Sequence, residues 1–114
     1  MSYFDRFYYK EELISRTLDI DEELYEKLEY LSKNIYDASI SKLVNASIEG
    51  LIESEDVKVY KRKNSSYVSR SFLIRKSFLD GLYELKNKYR VPIYLLVNIA
   101  IKNELENIEM KIAL

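Results

Sequence analysis

Two short passages of this chain set hydroxyl and guanidinium groups in the same order: Ile14-Ser-Arg-Thr-Leu-Asp-Ile20 and Val68-Ser-Arg-Ser-Phe-Leu-Ile74. A hydroxyl donates or accepts a hydrogen bond, and a guanidinium is a fixed fork of donors suited to phosphate, so the chemistry on offer is recognition. Bond-making chemistry is poorly served. The chain has no cysteine and no histidine, which removes thiol nucleophiles, Cys/His zinc sites and the residue most used for proton transfer near neutrality. Nor does the sequence contain a Gly-rich phosphate loop or a nucleophile beside a base. Neither an enzyme nor a cofactor is expected.

Charge points the same way. The formal net charge is −1, but residues 1–56 hold 6 Lys/Arg against 14 Asp/Glu, a balance of −8. Residues 57–103 hold 11 against 2, which is +9, and residues 104–114 come to −2. A basic segment joined to an acidic one suggests one surface for a polyanion and another that faces elsewhere.

The elements that must position the two triplets are themselves repeated. Leu43-Val-Asn-Ala-Ser-Ile48 matches Leu96-Val-Asn-Ile-Ala-Ile101 at an offset of 53, against 54 for the triplets, so one residue is missing from an intervening loop. In the first copy Leu18 and Ile20 alternate with Thr17 and Asp19, the period of a strand with one apolar face. Asp21 is placed to cap a helix with the stripe Leu24, Leu28, Leu31 and Ile35, and Glu22, Glu23 and Glu26 suit its first turns. Ser39 is placed to cap a second helix with the stripe Ile40, Leu43, Val44, Ile48, Leu51 and Ile52. In the second copy Phe72 and Ile74 point inward from a strand, and a helix follows with Phe78, Leu82, Leu85 and Tyr89 on one face. Ser77 and Asp80 form a capping-box-like pair at its start. Pro92 opens a last helix carrying Leu96, Val97, Ala100, Ile101 and Leu105.

The expected organisation is an N-terminal aromatic arm (1–13), a first repeat (14–53), a basic linker (54–67), a second repeat (68–106) and a C-terminal extension (107–114). The linker contains Lys61-Arg-Lys63, and its extended length of at most roughly 50 Å could carry the second strand beside the first. No apolar run approaches a membrane span and the start lacks the basic and apolar regions of a secretory signal, so a cytoplasmic protein is expected, in the host cytoplasm if the source is viral.

Strand, helix, helix in some forty residues, with Asp21-Glu-Glu-Leu24 at the first helix and Ser39-Ile-Ser-Lys-Leu-Val44 at the second, resembles the ribbon-helix-helix family of DNA-binding regulators. The resemblance covers 14–53 and 68–106, and the duplication is similar to that of tandem members known from plasmids and archaeal viruses. It implies a mainly α fold with a short two-stranded antiparallel ribbon, the two repeats forming an intramolecular pseudo-dimer. It also implies that the ribbon enters the major groove of double-stranded DNA, as a sequence-specific transcriptional regulator or repressor would require. A relaxosome accessory protein and an antitoxin remain open within the class. Outside it, a protein-interaction module that kept the fold without DNA affinity is the rival.

With Leu18, Ile20, Phe72 and Ile74 inward, alternation sends Ser15, Thr17, Asp19, Ser69, Ser71 and Leu73 outward as base-reading candidates. Asp19 and Leu73 depart from the Arg, Lys or Asn frequent there in the family. Arg16 and Arg70 fall on the core side near the strand starts, where they either reach phosphate or pair at the ribbon end. Arg75 and Lys76 oppose the dipole of the following helix, a local conflict that often marks function. The starts of the second helices add phosphate candidates in Ser39, Ser41, Lys42 and Tyr94, with Ile40 and Ile93 beside them. Lys61, Arg62 and Lys63 are expected to act as a flexible electrostatic arm. Glu22, Glu23, Glu26 and Glu29 read as a solvated helix face without metal-ligand logic, and Tyr25, Tyr30 and Tyr36 as rim packing. Tyr3, Phe4, Phe7 and Tyr8 at helical spacing, like Ile108, Met110, Ile112 and Leu114, either cover the core or mediate self-association along DNA.

Overall fold

The computed structural model describes residues 11–62 and 66–113, the last four by their backbone alone. Strand β1 (Leu13–Asp21) leads into helix α1 (Glu22–Asn34) and helix α2 (Ile40–Ser54). Strand β2 (Tyr67–Arg75) then leads into α3 (Lys76–Tyr89) and α4 (Ile93–Ala113). Among the described residues the fold is mainly helical, with a single two-stranded sheet in which β1 and β2 run antiparallel.

Nine residue pairs form the ladder, from Leu13↔Arg75 to Asp21↔Tyr67, with Thr17↔Ser71 in the middle. One face of this ribbon lies on the helices. Leu18, Ile20, Phe72 and Ile74 are buried, as the alternation requires, and join a core built from all four helices. Helix α4 sits deepest: Leu96, Val97, Asn98, Ile99, Ala100 and Ile101 are consecutive buried residues. It packs against α2, which contributes Val44, Ile48 and Leu51. A helix apolar on most sides can only be central, with neighbours all round.

The stripes of the outer helices differ in detail from the sequence expectation. In α1, Leu24 and Leu28 are buried, whereas Ile35 is the C-cap and 58% exposed. In α3 the buried set is Leu79, Leu82 and Leu85, while Phe78 is only partly buried and Tyr89 is exposed. The buried stripe is thus centred on Leu79, Leu82 and Leu85 rather than on Phe78 and Tyr89.

Helix starts divide between the expected and the unexpected. Asp21 caps α1 by accepting from the Glu23 N–H at 3.1 Å, and Ser39 caps α2 by accepting from the Lys42 N–H at 3.2 Å. The Ser77–Asp80 box does not form. Helix α3 begins at Lys76 directly after the strand, its N-cap Arg75 makes no side-chain cap, and Ser77 is already inside the helix. Its N–H donates instead to the Glu11 carboxylate, and Asp80 pairs with Lys76 at 3.2 Å.

The connection between α2 and β2 lies on the body of the protein where it is described. Val57 and Tyr60 pack against the core, the Asp56 carbonyl accepts from Asn103 Nδ2 at 3.0 Å, and the Arg62 guanidinium stacks 3.6 Å from the Tyr67 ring centre. Arg62 is therefore seated rather than part of a loose arm; Lys63 lies outside the described residues, as do Tyr3, Phe4, Phe7 and Tyr8. Among the described residues no helix is long and apolar enough to cross a membrane.

Candidate functional site

The outward face of the ribbon carries Ser15, Thr17, Asp19, Ser69, Ser71 and Leu73, all exposed. Their cross-strand arrangement is Ser15 beside Leu73, Thr17 beside Ser71 and Asp19 beside Ser69. At the centre the Thr17 and Ser71 hydroxyls hydrogen-bond to each other at 2.7 Å. Each hydroxyl has one proton, so this contact occupies one donor and leaves a second, with spare lone pairs on both oxygens. The pair can present a donor or an acceptor to whatever approaches.

Two asparagines hold the ribbon to the helices, and they do so crosswise. Asn98 of α4 accepts from the Asp21 N–H at 2.8 Å, and donates to the Asp19 carbonyl at 3.0 Å and the Tyr94 carbonyl at 2.8 Å. Asn45 of α2 accepts from the Arg75 N–H at 3.0 Å, and donates to the Leu73 and Ser41 carbonyls, each at 2.8 Å. Arg75 follows Asp21, and Leu73 follows Asp19, by the 54-residue offset of the triplets; Asn98 follows Asn45 by the offset of 53. Neither asparagine was among the candidates. The signal was present as the one polar residue shared by both Leu-Val-Asn passages, set in otherwise apolar helix faces.

The remaining candidates are distributed around this ribbon. Ser41 Oγ accepts from the Leu73 N–H at 3.2 Å, so it tethers the edge of β2, and Lys42 is exposed beside it. Tyr94, at the start of α4, meets Tyr67 edge-on with ring centres 5.8 Å apart. Arg16 lies on the helix side, as parity requires, and donates to the Tyr83 hydroxyl at 2.8 Å. Arg70 donates to the Ser69 carbonyl at 2.8 Å and approaches the Tyr25 ring at 5.0 Å. Lys61 is exposed, at the far end of the ribbon from Arg75.

The conflict expected at Arg75 and Lys76 is relieved from outside the helix. Glu11 pairs with Arg75 at 2.8 Å and takes the Ser77 N–H, supplying the negative charge that the start of α3 lacks. The bond to Ser77, then the Arg75 guanidinium, hold the Glu11 carboxyl below its ordinary range. Tyr60 sits near the ribbon end, and burial first, then the Asp21 carboxylate, push its phenol far above the ordinary value. The opposite charges of the two halves also meet elsewhere, as in Lys88 with Glu55 at 2.7 Å. The sequence-level charge separation is thus partly cancelled by folding.

A recess of about 360 Å³ borders β1, lined by Arg16, Thr17, Asp19, Tyr83, Lys86 and Tyr94 among others. Its lining combines two cations with two phenols next to the outward row. No family model, no curated protein and no solved structure matches the chain.

Proposed function

We propose that this chain is a ribbon-helix-helix protein in which tandem repeats 14–53 and 68–106 pack as a pseudo-dimer, and that it reads double-stranded DNA as a cytoplasmic transcriptional regulator. The pseudo-dimer reading is supported by symmetry. In an antiparallel pair of equivalent strands the two-fold axis must pass between equivalent residues, and the middle pair, Thr17↔Ser71, is equivalent at the 54-residue offset. The crosswise asparagine clamps obey the same relation.

The observation that carries the DNA reading is the exposed row of hydroxyls on a ribbon whose backbone is clamped at both ends. A two-stranded ribbon fits the major groove, and a clamped one can hold its side chains against base edges without ordering cost. Arg16, Arg70, Lys42 and the starts of α2 and α4 flank that row as phosphate contacts. Within this class the protein acts as a repressor, an antitoxin or a relaxosome accessory factor, and a neighbouring toxin or relaxase gene separates the last two.

The test is an anisotropy titration against duplexes recovered from a randomised library. Salt-sensitive binding is expected, with Thr17→Ala and Ser71→Ala together weakening it about tenfold, some 1.4 kcal/mol. Absence of binding to every duplex, or an unchanged affinity in the double variant, ends this reading. A second reading, a protein-interaction module, is favoured by Leu13 and Leu73, which are 53% and 48% exposed on the outward face. Co-purification of a stoichiometric protein partner without DNA affinity selects it.

A further inference from the structure

We infer that the ribbon reads DNA in one direction only, taking a non-palindromic site with a cytosine under Asp19 and a thymine under Leu73. This rests on the DNA reading above and concerns what the two copies do not share. About the central Thr17↔Ser71 pair, Ser15 and Ser69 are equivalent and chemically identical, while Leu73 and Asp19 are equivalent and opposite in character. The difference continues one rung outward, where exposed Leu13 stands in the place that Tyr67 occupies in the other copy. The outward face therefore has a hydroxyl centre, one end bearing Leu73 and Leu13, with Arg75 beside Leu13 held by Glu11, and an opposite end bearing the Asp19 carboxylate.

Two identical half-sites cannot satisfy such a face. A carboxylate accepts hydrogen bonds and donates none, so on the major-groove edge it favours the cytosine amino group, is opposed by the N7 acceptor beside the adenine amino group, and is repelled by the guanine and thymine oxygens. A leucine offers no hydrogen bond and favours the thymine methyl. Each residue stands two positions from the central pair on its own strand, in opposite directions. At about 3.4 Å per residue the two side chains are separated by roughly 14 Å along the ribbon, or about four base pairs. In a two-chain dimer of identical subunits this asymmetry could not arise, because any substitution appears twice. Here it is carried by a single chain, and the backbone geometry on which both residues stand remains two-fold: Asn98 holds the carbonyl of Asp19 as Asn45 holds that of Leu73.

Selection from a randomised duplex library, followed by directional cleavage, tests this. The chain has no cysteine, so Asn87→Cys on exposed α3 gives a unique point for an iron chelate that cuts nearby DNA. The expected result is a non-palindromic consensus cut on one flank, with cytosine and thymine about four base pairs apart. Replacing either base lowers affinity about tenfold. Exchanging the two residues, Asp19→Leu with Leu73→Asp, is expected to move the cut to the opposite flank. Should the exchange disturb folding by circular dichroism, Asp19→Ser and Leu73→Ser singly are each expected to erase the preference at one arm only, since a serine hydroxyl donates or accepts and so tolerates either base. A palindromic consensus, equal cutting on both flanks, or a cut that stays in place after the exchange overturns directional reading while leaving DNA binding intact. Failure to enrich any duplex removes both.

Discussion

Asn98 is the side chain on which most of the geometry converges. It is fully buried and all of its amide atoms are engaged, holding the end of β1, the cap residue of α1 and a turn of its own helix together. Truncation removes the buried bond to the Asp21 N–H and the part-buried one to the Asp19 carbonyl, and losing such a bond at a buried group costs about 1–3 kcal/mol. Asn98→Ala is expected to lower stability by about 3 kcal/mol in urea unfolding, and Asn45→Ala, half-buried, by clearly less. Equal losses would show that burial does not set the strength of these clamps. Glu11 gives the pH dependence at this scale. Its carboxyl is depressed in the folded protein, so its contribution is present above the ordinary carboxylate value of 4.5 and fades as pH falls through the lower folded value. Melting curves are expected to favour wild type over Glu11→Gln at pH 7, and the gap should close on acidification below 4.5. The inward and outward residues of the ribbon were legible because alternation is a local pattern. Glu11 was not, since its partners Arg75 and Ser77 lie 64 and 66 residues away.

Between elements, α2 and α3 come close at Gly81. A Cβ placed on Gly81 would stand 2.6 Å from Ile52 Cδ1 and 3.1 Å from its Cγ1, so a glycine allows α3 to lie against Ile52. Gly81→Ala carries two opposing effects: a helix-propensity gain of about 1 kcal/mol and an overpacking cost of about 1–3 kcal/mol. A net loss of about 1 kcal/mol is expected, and combining it with Ile52→Val should recover most of it. Additive losses in that double-mutant cycle would mean the contact is not the cause. The order of elements was readable in the sequence, along with the Asp21 and Ser39 caps, because each depends on neighbours within a few residues. The start of α3 was misread for the opposite reason: Ser77 and Asp80 have the right spacing, but the strand runs into the helix without a break and fixes its first residue at Lys76. The seating of Val57, Tyr60 and Arg62 was likewise hidden, since a polar, basic stretch gives no local sign that it will be drawn onto a core.

At the scale of the whole molecule, the two strands of the only described sheet sit 54 positions apart on one polypeptide at their central pair. A ribbon assembled from separate subunits comes apart on dilution, because its closure is a bimolecular event. Here closure is an internal loop whose entropy is fixed by chain length, so a hundredfold dilution should leave the melting temperature where it was. A midpoint that drifts downward with dilution would reveal that intermolecular pairing contributes. Joined strands therefore keep their partner at concentrations where only a few copies occupy a cell.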